Sequence, residues 1–449
     1  MSVVASSSLS TPRAPVPVVD ILRLNTCGSV DDGKSTLIGR LLYDSKSLME
    51  DQIEALERSA DITGGGQINL ANLTDGLRAE REQGITIDVA YRYFATPRRK
   101  FIIADTPGHV QYTRNMVTGA STANLSIVLV DARLGVIEQS RRHTAIASLL
   151  RIPHLVVAVN KMDLVDWSEA RFNEIRAQFE EFLPRLDIKD VKFIPLSALN
   201  GDNVVEPSPH TPWYVGPTLL GHLETVHIAS DWNLGAFRLP VQWVNRPNNP
   251  TDKTLHDFRG FSGQIAGGIV KVGQKVMALP GGVVTTVKEI HTYDGAVPEA
   301  FCPQSVSVVL EHDVDVSRGS MLVGVDALPG GATELHAKVC WMHPRALQRG
   351  KKFFLKHTTS TVQAIVTEIE SRLDMATLEA QPAPADLAVN DLGEIRLRTA
   401  KPLYYDGYAT NRLTGSFILI EQGTNATVAA GMLLAPTELV KPEITDYAI

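Results

Sequence analysis

The residues best equipped for chemistry begin at Gly28-Ser29-Val30-Asp31-Asp32-Gly33-Lys34-Ser35, a G-x-x-x-x-G-K-[ST] run followed by Thr36. Backbone N–H groups of such a loop cradle phosphates. Its glycines permit the tight turn, Lys34 is expected to reach the β- and γ-phosphates, and the Ser35 hydroxyl is expected to ligate Mg²⁺. Asp105-Thr106-Pro107-Gly108 follows as D-x-x-G. A carboxylate at Asp105 can hold Mg²⁺ through water, and the Gly108 N–H can touch the γ-phosphate. Asn160-Lys161-Met162-Asp163 is N-K-x-D. Asp163 can accept two N–H bonds, from guanine N1 and the 2-amino group. Adenine lacks that donor pair, so the pairing selects GTP over ATP. The backbone of Ser197-Ala198 can support guanine O6. The four short motifs in this order point to a GTPase that binds GTP and GDP with Mg²⁺.

These residues need elements to hold them, and the pattern supplies them. Residues 21–26 read as a strand running into the phosphate loop, and residues 34–42 as the helix that leaves it; a helix N-terminus carries partial positive charge toward an anion. Residues 89–94 and 100–104 look like strands. The apolar runs 125–130 and 154–159 suit strands buried on both faces. Residues 138–150 and 167–183 read as helices between them. Residues 192–196 read as the strand before Ser197. This alternation implies a mostly parallel sheet covered by helices. Pro207, Pro209 and Pro212 mark an exit loop, and residues 217–226 read as one more helix, with proline in its first turn. After about Trp232 short alternating segments punctuated by Gly263, Gly267, Gly268, Gly273, Gly281 and Gly282 suggest a β-barrel or sandwich. A second boundary is expected near Leu328-Pro329-Gly330-Gly331, with another β-domain beyond it. The expected divisions are therefore a disordered tail over 1–17, a nucleotide-binding domain over 18–231, and β-domains over 232–328 and 329–449.

Composition bounds the partners. The 449 residues carry a formal net charge of −7, with 44% hydrophobic and 21% charged residues, an ordinary globular balance. A protein held mainly by nucleic-acid phosphates needs a large cationic surface, so nucleic acid is not expected. No apolar run approaches the ~18 residues of a membrane span, and residues 1–17 have no signal-peptide core. Cys27, Cys302 and Cys340 are scattered, which suggests no disulfide framework and fits a reducing, cytoplasmic setting.

Arg81-Glu82-Gln83-Gly84-Ile85-Thr86-Ile87, followed by Asp105-Thr106-Pro107-Gly108-His109, resembles the translational GTPase superfamily, the elongation factor Tu kind. That resemblance implies an α/β P-loop G domain followed by two all-β barrel domains. It also implies that Thr86 closes on Mg²⁺ and the γ-phosphate, completing a metal set with Ser35 and Asp105. His109 is implied to orient the attacking water. Val30 and Ile85 would form a hydrophobic gate, and Asp31 would tune γ-phosphate charge. Longer strings narrow the likeness: Leu41-Leu42-Tyr43-Asp44, the insertion from Asp61 to Gly76, Tyr91-Arg92-Tyr93-Phe94, residues 111–116, Gln139-Ser140-Arg141-Arg142-His143, residues 212–218 and residues 412–420. These are similar to the GTPase large subunit of sulfate adenylyltransferase, and the likeness covers nearly the whole chain after the tail. Ser29 and Asp32 depart from the elongation factors' phosphate loop and fit the sulfate family.

The resemblance implies a regulatory subunit that couples GTP hydrolysis to adenylyl sulfate formation from ATP and sulfate on a separate small adenylyltransferase subunit, as a heterodimer. Some relatives carry a fused adenylyl-sulfate kinase with its own phosphate loop. The sequence holds no second phosphate loop, so that activity is expected to be absent. The rival readings are a free-standing regulatory GTPase with neither partner and a translation factor carrying aminoacyl-tRNA. The basic run Arg345, Arg349, Lys351, Lys352 and Lys356 is the latter's best hook, but reads first as a solvated strand edge. His336, Cys340 and His343 could suggest a metal, yet zinc wants about four convergent ligands, and on a strand residue 343 points away from 336 and 340.

Overall fold

The computed structural model describes residues 20–48, 54, 70, 86, 88–109, 112–188, 190–228, 233–247, 258–436 and 445–446. The expected tail, most of the insertion from Asp61 to Gly76, Ile85 and the first expected boundary at residues 231 and 232 lie outside the described residues. Strand β1 (Ile21–Cys27) enters the phosphate loop and helix α1 (Lys34–Asp44) leaves it. Then follow β2 (Ala90–Ala95), β3 (Lys100–Asp105), α2 (Thr113–Ala120), β4 (Leu125–Asp131), α3 (Glu138–Leu149), β5 (His154–Asn160), α4 (Glu169–Phe182), β6 (Asp190–Pro195) and α5 (Leu219–Thr225). The six strands form one sheet in the order β2-β3-β1-β4-β5-β6. Only β2 runs antiparallel to its neighbour.

The apolar runs fold as their composition requires. All seven residues of β4 are buried, as are six of the seven in β5, because helices cover both faces of a parallel sheet. Helix α4 buries Phe172, Ile175, Phe179 and Phe182, three and four residues apart on one face. Its Ser168 cap accepts a bond from the Arg171 N–H at 3.3 Å. Helix α5 starts two residues later than its pattern predicts. Thr218 caps it by accepting from the Gly221 N–H at 3.2 Å, so Pro217 stands outside the first turn.

Two closed β-structures complete the chain. In the first, strands Arg238–Pro240, Met321–Gly324, Lys275–Leu279, Val283–Thr292, Ser305–Leu310, Gly260–Gln264 and Trp243–Asn245 lie side by side in that order. The Arg238 N–H donates to Gly267 O at 2.9 Å and the Ala266 N–H to Arg238 O at 2.8 Å, which closes the sheet on itself. In the second, the order is Lys352–His357, Ser416–Ile420, Thr427–Leu433, Gly330–Trp341, Leu392–Tyr405, Ser360–Leu373. Pairing of 352–357 with 360–365 shuts the ring. Closure removes the exposed strand edges that an open sheet would leave. The chain is thus an α/β P-loop domain followed by two all-β barrels. Among the described residues no helix is long and apolar enough to cross a membrane.

The three parts share contacts that local pattern does not announce. Arg238 is 2% exposed and grips Asp406 through two bonds of 2.9 and 2.8 Å, joining the barrels. Cys340, Met342, Leu378, Leu392, Tyr408 and Met432 of the second barrel share one apolar cluster with Ala145, Ile146 and Ala147 of α3. The Tyr408 hydroxyl donates to Leu150 O at 2.9 Å. Arg412 donates to Ser121 O at 3.0 Å and Ala123 O at 3.2 Å.

Candidate nucleotide site

The residues expected to form the site gather at the C-terminal ends of the parallel strands, where open α/β sheets place ligands. Gly33 adopts φ 89°, a left-handed conformation that favours glycine, and lets α1 begin directly at Lys34. No side chain caps this helix, so its first N–H groups face the loop as an anion cradle. A Cβ at Gly33 would stand 2.5 Å from Asn160 Nδ2, and one at Gly108 would stand 2.2 Å from Gly28 O. The bare backbone is what allows the phosphate loop, D-T-P-G and N-K-M-D to converge. Thr106 Oγ1 donates to Thr26 O at 2.6 Å, holding D-T-P-G beside β1.

The guanine corner is braced by its own residues. Asn160 Nδ2 donates to Asp32 O at 2.7 Å, while Asn160 Oδ1 accepts from the Ala198 N–H at 2.9 Å. One side chain thus links the phosphate loop to Ser197-Ala198. Lys161, left-handed at φ 62°, donates to the Asp31 carbonyl and pairs with Asp131 at 2.9 Å. Asp163 follows in the 3-10 turn Met162–Val165, half-buried. Ser197 and Ala198 are 1% exposed, and their N–H groups donate to Asp202 O at 3.2 Å and to Asn160.

On the γ-phosphate side, Lys34 Nζ donates to Thr86 Oγ1 at 3.3 Å and lies 3.9 Å from Asp105 Oδ1. Ser35 sits one residue on, at the start of α1. These donors are two hydroxyls and a carboxylate, all hard oxygen, which fits Mg²⁺. His109 is exposed, its ring 6.1 Å from that of Tyr112. Val30 is 37% exposed. Asp31 is exposed at φ 71°. Ser29 and Asp32 form a local pair: the Ser29 N–H donates to Asp32 Oδ2 at 2.5 Å. Burial raises the Asp32 carboxyl to about 6 despite that bond. At Asp131 burial acts in the same direction, yet the bonds from Arg133 and Lys161 outweigh it and hold the carboxyl at about 2.

Several residues near the candidate site lie outside the motifs. Asp131 is one: it ends β4 and anchors Lys161. Gln139 is another, its Nε2 donating to Gly108 O at 2.8 Å. His143 is a third, 3% exposed on α3 with no hydrogen bond at Nδ1. Burial first, then the Lys34 and Arg142 charges, push its imidazole down to about 3. The sequence signal for Gln139 and His143 is membership of the Gln139–His143 string, which marks kinship but no role. His336 gathers with Glu370 and Glu394 rather than with Cys340 and His343. Arg396 donates to Glu370 Oε1 at 2.5 Å and Lys338 lies 3.7 Å from Glu394 Oε1, so the group reads as a charge ladder across three strands.

The family model described as Elongation factor Tu GTP binding domain matches residues 19–239, and GTP-eEF1A C-terminal domain-like matches residues 334–434. The chain is 56% identical over 429 residues to "Sulfate adenylyltransferase subunit 1" of Bacteroides fragilis (strain YCH46), across 95% of this chain and 88% of the relative. It is 56% identical over 415 residues to "Bifunctional enzyme CysN/CysC" of Mycobacterium tuberculosis (strain ATCC 25618 / H37Rv), across 92% of this chain and 67% of the relative. With "Sulfate adenylyltransferase subunit 1" of Colwellia psychrerythraea (strain 34H / ATCC BAA-681) the identity is 50% over 416 residues, across 92% and 88%.

Proposed function

The chain belongs to the family of sulfate adenylyltransferase subunit 1, among GTPases of the elongation factor Tu kind, and from that premise we propose how its site works. It is a GTPase and a subunit of a sulfate adenylyltransferase, coupling GTP hydrolysis to adenylyl sulfate synthesis. The coupling has a physical reason, since joining sulfate to AMP is steeply uphill. In our reading the adenylyl transfer itself occurs on a separate small subunit in the cytoplasm. The phosphate loop here is committed to guanine by Asn160, Lys161 and Asp163, and offers no second site for ATP.

The observation that carries the reading is the pair of hydrogen bonds of Asn160, to Asp32 O and from the Ala198 N–H, which supports treating base recognition and phosphate cradle as one unit. Asp163 accepts the guanine N–H pair, and Ser197 and Ala198 wall the base. Gly28, Ser29, Val30, Asp31, Asp32, Gly33, Lys34 and Thr36 surround the phosphates. Ser35, Thr86 and Asp105 would hold Mg²⁺, which when bound neutralises charge on the β- and γ-phosphates. Lys34, 3.3 Å from Thr86 and 3.9 Å from Asp105, already stands among them. Gly108 donates its N–H to the γ-phosphate, and His109 orients the attacking water while Val30 and Ile85 screen its path. Asp31 tunes the charge on the γ-phosphate. We place the domain limits at 231/232 and 328/329.

The test measures adenylyl sulfate formation with and without GTP, beside phosphate release with and without the small subunit. Each activity is expected to rise in the presence of the other reaction's components. Two activities that ignore each other would overturn the coupling.

A further inference from the structure

Helix α3 touches both the γ-phosphate side of the site and the second barrel. At its start Gln139, half-buried, donates to Gly108 O at 2.8 Å. A carbonyl only accepts, so the carboxamide must present its nitrogen here. That carbonyl belongs to the peptide joining Gly108 to His109. Fixing its plane fixes where the His109 backbone begins, and the His109 carbonyl in turn accepts from the Tyr112 N–H at 3.0 Å. Gly108 has little room to choose another path, because a Cβ there would stand 2.2 Å from Gly28 O.

Beyond Gln139 the helix is gripped by the barrel. Arg141 Nη1 donates to Ala376 O at 3.0 Å. Ala145, Ile146 and Ala147 share their apolar cluster with Cys340, Leu378 and Leu392. At the far end Leu150 O accepts from Tyr408 at 2.9 Å. A helix of 12 residues is about 18 Å long and transmits displacement as a rod.

We propose that Gln139 is a positioning residue which holds the Gly108–His109 peptide for hydrolysis and, through α3, ties that peptide to the seat of the second barrel. The proposal rests on the GTPase reading above. It gives the nucleotide state a mechanical route: a shift of the Gly108 peptide on loss of the γ-phosphate pulls on Gln139, and α3 carries the shift to residues 376–378.

The experiment uses the full chain and Gln139→Glu, a side chain of equal size that offers no donor when ionised and repels the carbonyl. Three readings are taken: affinity for GTP and GDP, kcat against KM for GTP hydrolysis, and amide hydrogen exchange over 374–380 with GDP or a non-hydrolysable GTP analogue. In the wild type, exchange over 374–380 is expected to differ between the two nucleotides. In the variant kcat is expected to fall about tenfold or more, with affinities and KM within about threefold, and the exchange difference is expected to disappear. Gln139→Met gives the same readings if the glutamate variant folds poorly. A variant that hydrolyses GTP at the wild-type rate, or keeps the wild-type exchange difference, overturns the proposal. Failure of the wild type to bind GTP would overturn the GTPase reading instead.

Discussion

The two halves of the nucleotide site are built differently. On the proposed guanine side, Asn160 and Lys161 both donate to the phosphate loop, Asn160 also accepts from the Ala198 N–H, and Asp131 anchors Lys161 at 2.9 Å. On the γ-phosphate side, Thr86 meets Lys34 at 3.3 Å, Gly108 O is held by Gln139, and His109 stands exposed. In the first half the residues proposed for base recognition are tied to one another and to the phosphate loop. In the second the proposed residues come from separate segments with fewer bonds between them. Binding and hydrolysis should therefore respond to different substitutions, and the following outcomes break or sharpen that division.

Lys34→Ala cuts across both halves and should have the largest effect. Hydrogen bonds to charged groups are worth about 1.5–3 kcal/mol each, and this ammonium is proposed to reach two phosphates of GTP but only one of GDP, so GTP affinity should fall by roughly 100-fold or more and GDP affinity by roughly 10- to 100-fold. Equilibrium nucleotide titration reads it; affinity within a few-fold of wild type would remove Lys34 from the cradle.

His109→Ala tests the γ-phosphate half alone. Misplacing the attacking water costs on the order of 100-fold, so single-turnover hydrolysis should slow by about that factor while GTP affinity barely moves. Wild-type hydrolysis in the presence of the partner subunit would refute the assignment.

Asp163→Asn tests the other half alone. Losing the charged acceptor should weaken GTP by roughly 10- to 100-fold and turn preference toward xanthosine nucleotides, with the hydrolysis rate of bound nucleotide little changed. An unaltered GTP affinity would undo the guanine assignment.

The smallest effect is on stability. His143 lies buried on the helix that holds Gly108, with its imidazole pushed down to about 3 by burial and nearby positive charge. Unfolded, it titrates near 6.5. Between those values the unfolded chain binds a proton that the folded chain refuses, so stability is full above about pH 6.5 and declines as pH falls toward 3. The decline from this group should approach tenfold in the folding equilibrium per pH unit. Denaturant melts at pH 7 and pH 5 should show a smaller pH difference for His143→Gln than for wild type. An identical difference would mean that His143 is protonated in the folded chain.

Much of the candidate site was legible in the sequence. Gly33, Lys34, Asn160 and Asp163 announce themselves because a phosphate turn and a guanine edge each demand fixed residue types at short fixed spacing. The sheet was legible for a related reason: β4 and β5 are buried on both faces, so their apolar runs carry the signal. What binds the parts together was not. The Gln139–Gly108 bond spans 31 residues, Asn160–Asp32 spans 128 and Arg412–Ser121 spans 291. Such pairs leave no periodicity, and a glutamine beside a serine near a helix start looks like any solvated polar residue. The helix over 219–225 shows the same limit locally, since proline in the first turn put its start at 217 and the Thr218 cap puts it at 219.

The sequence by itself determined which ligand chemistry this protein offers and the order of its strands and helices, because both depend on side-chain type and on spacing within about ten residues. The tertiary structure alone decided that Asn160 would join Ala198 to the phosphate loop, which strands would close each barrel, and that α3 would lie between Gly108 and the second barrel. Those outcomes depend on which distant backbone groups find each other once apolar faces are buried. A buried carbonyl or N–H must be paired by whatever the completed fold brings within reach.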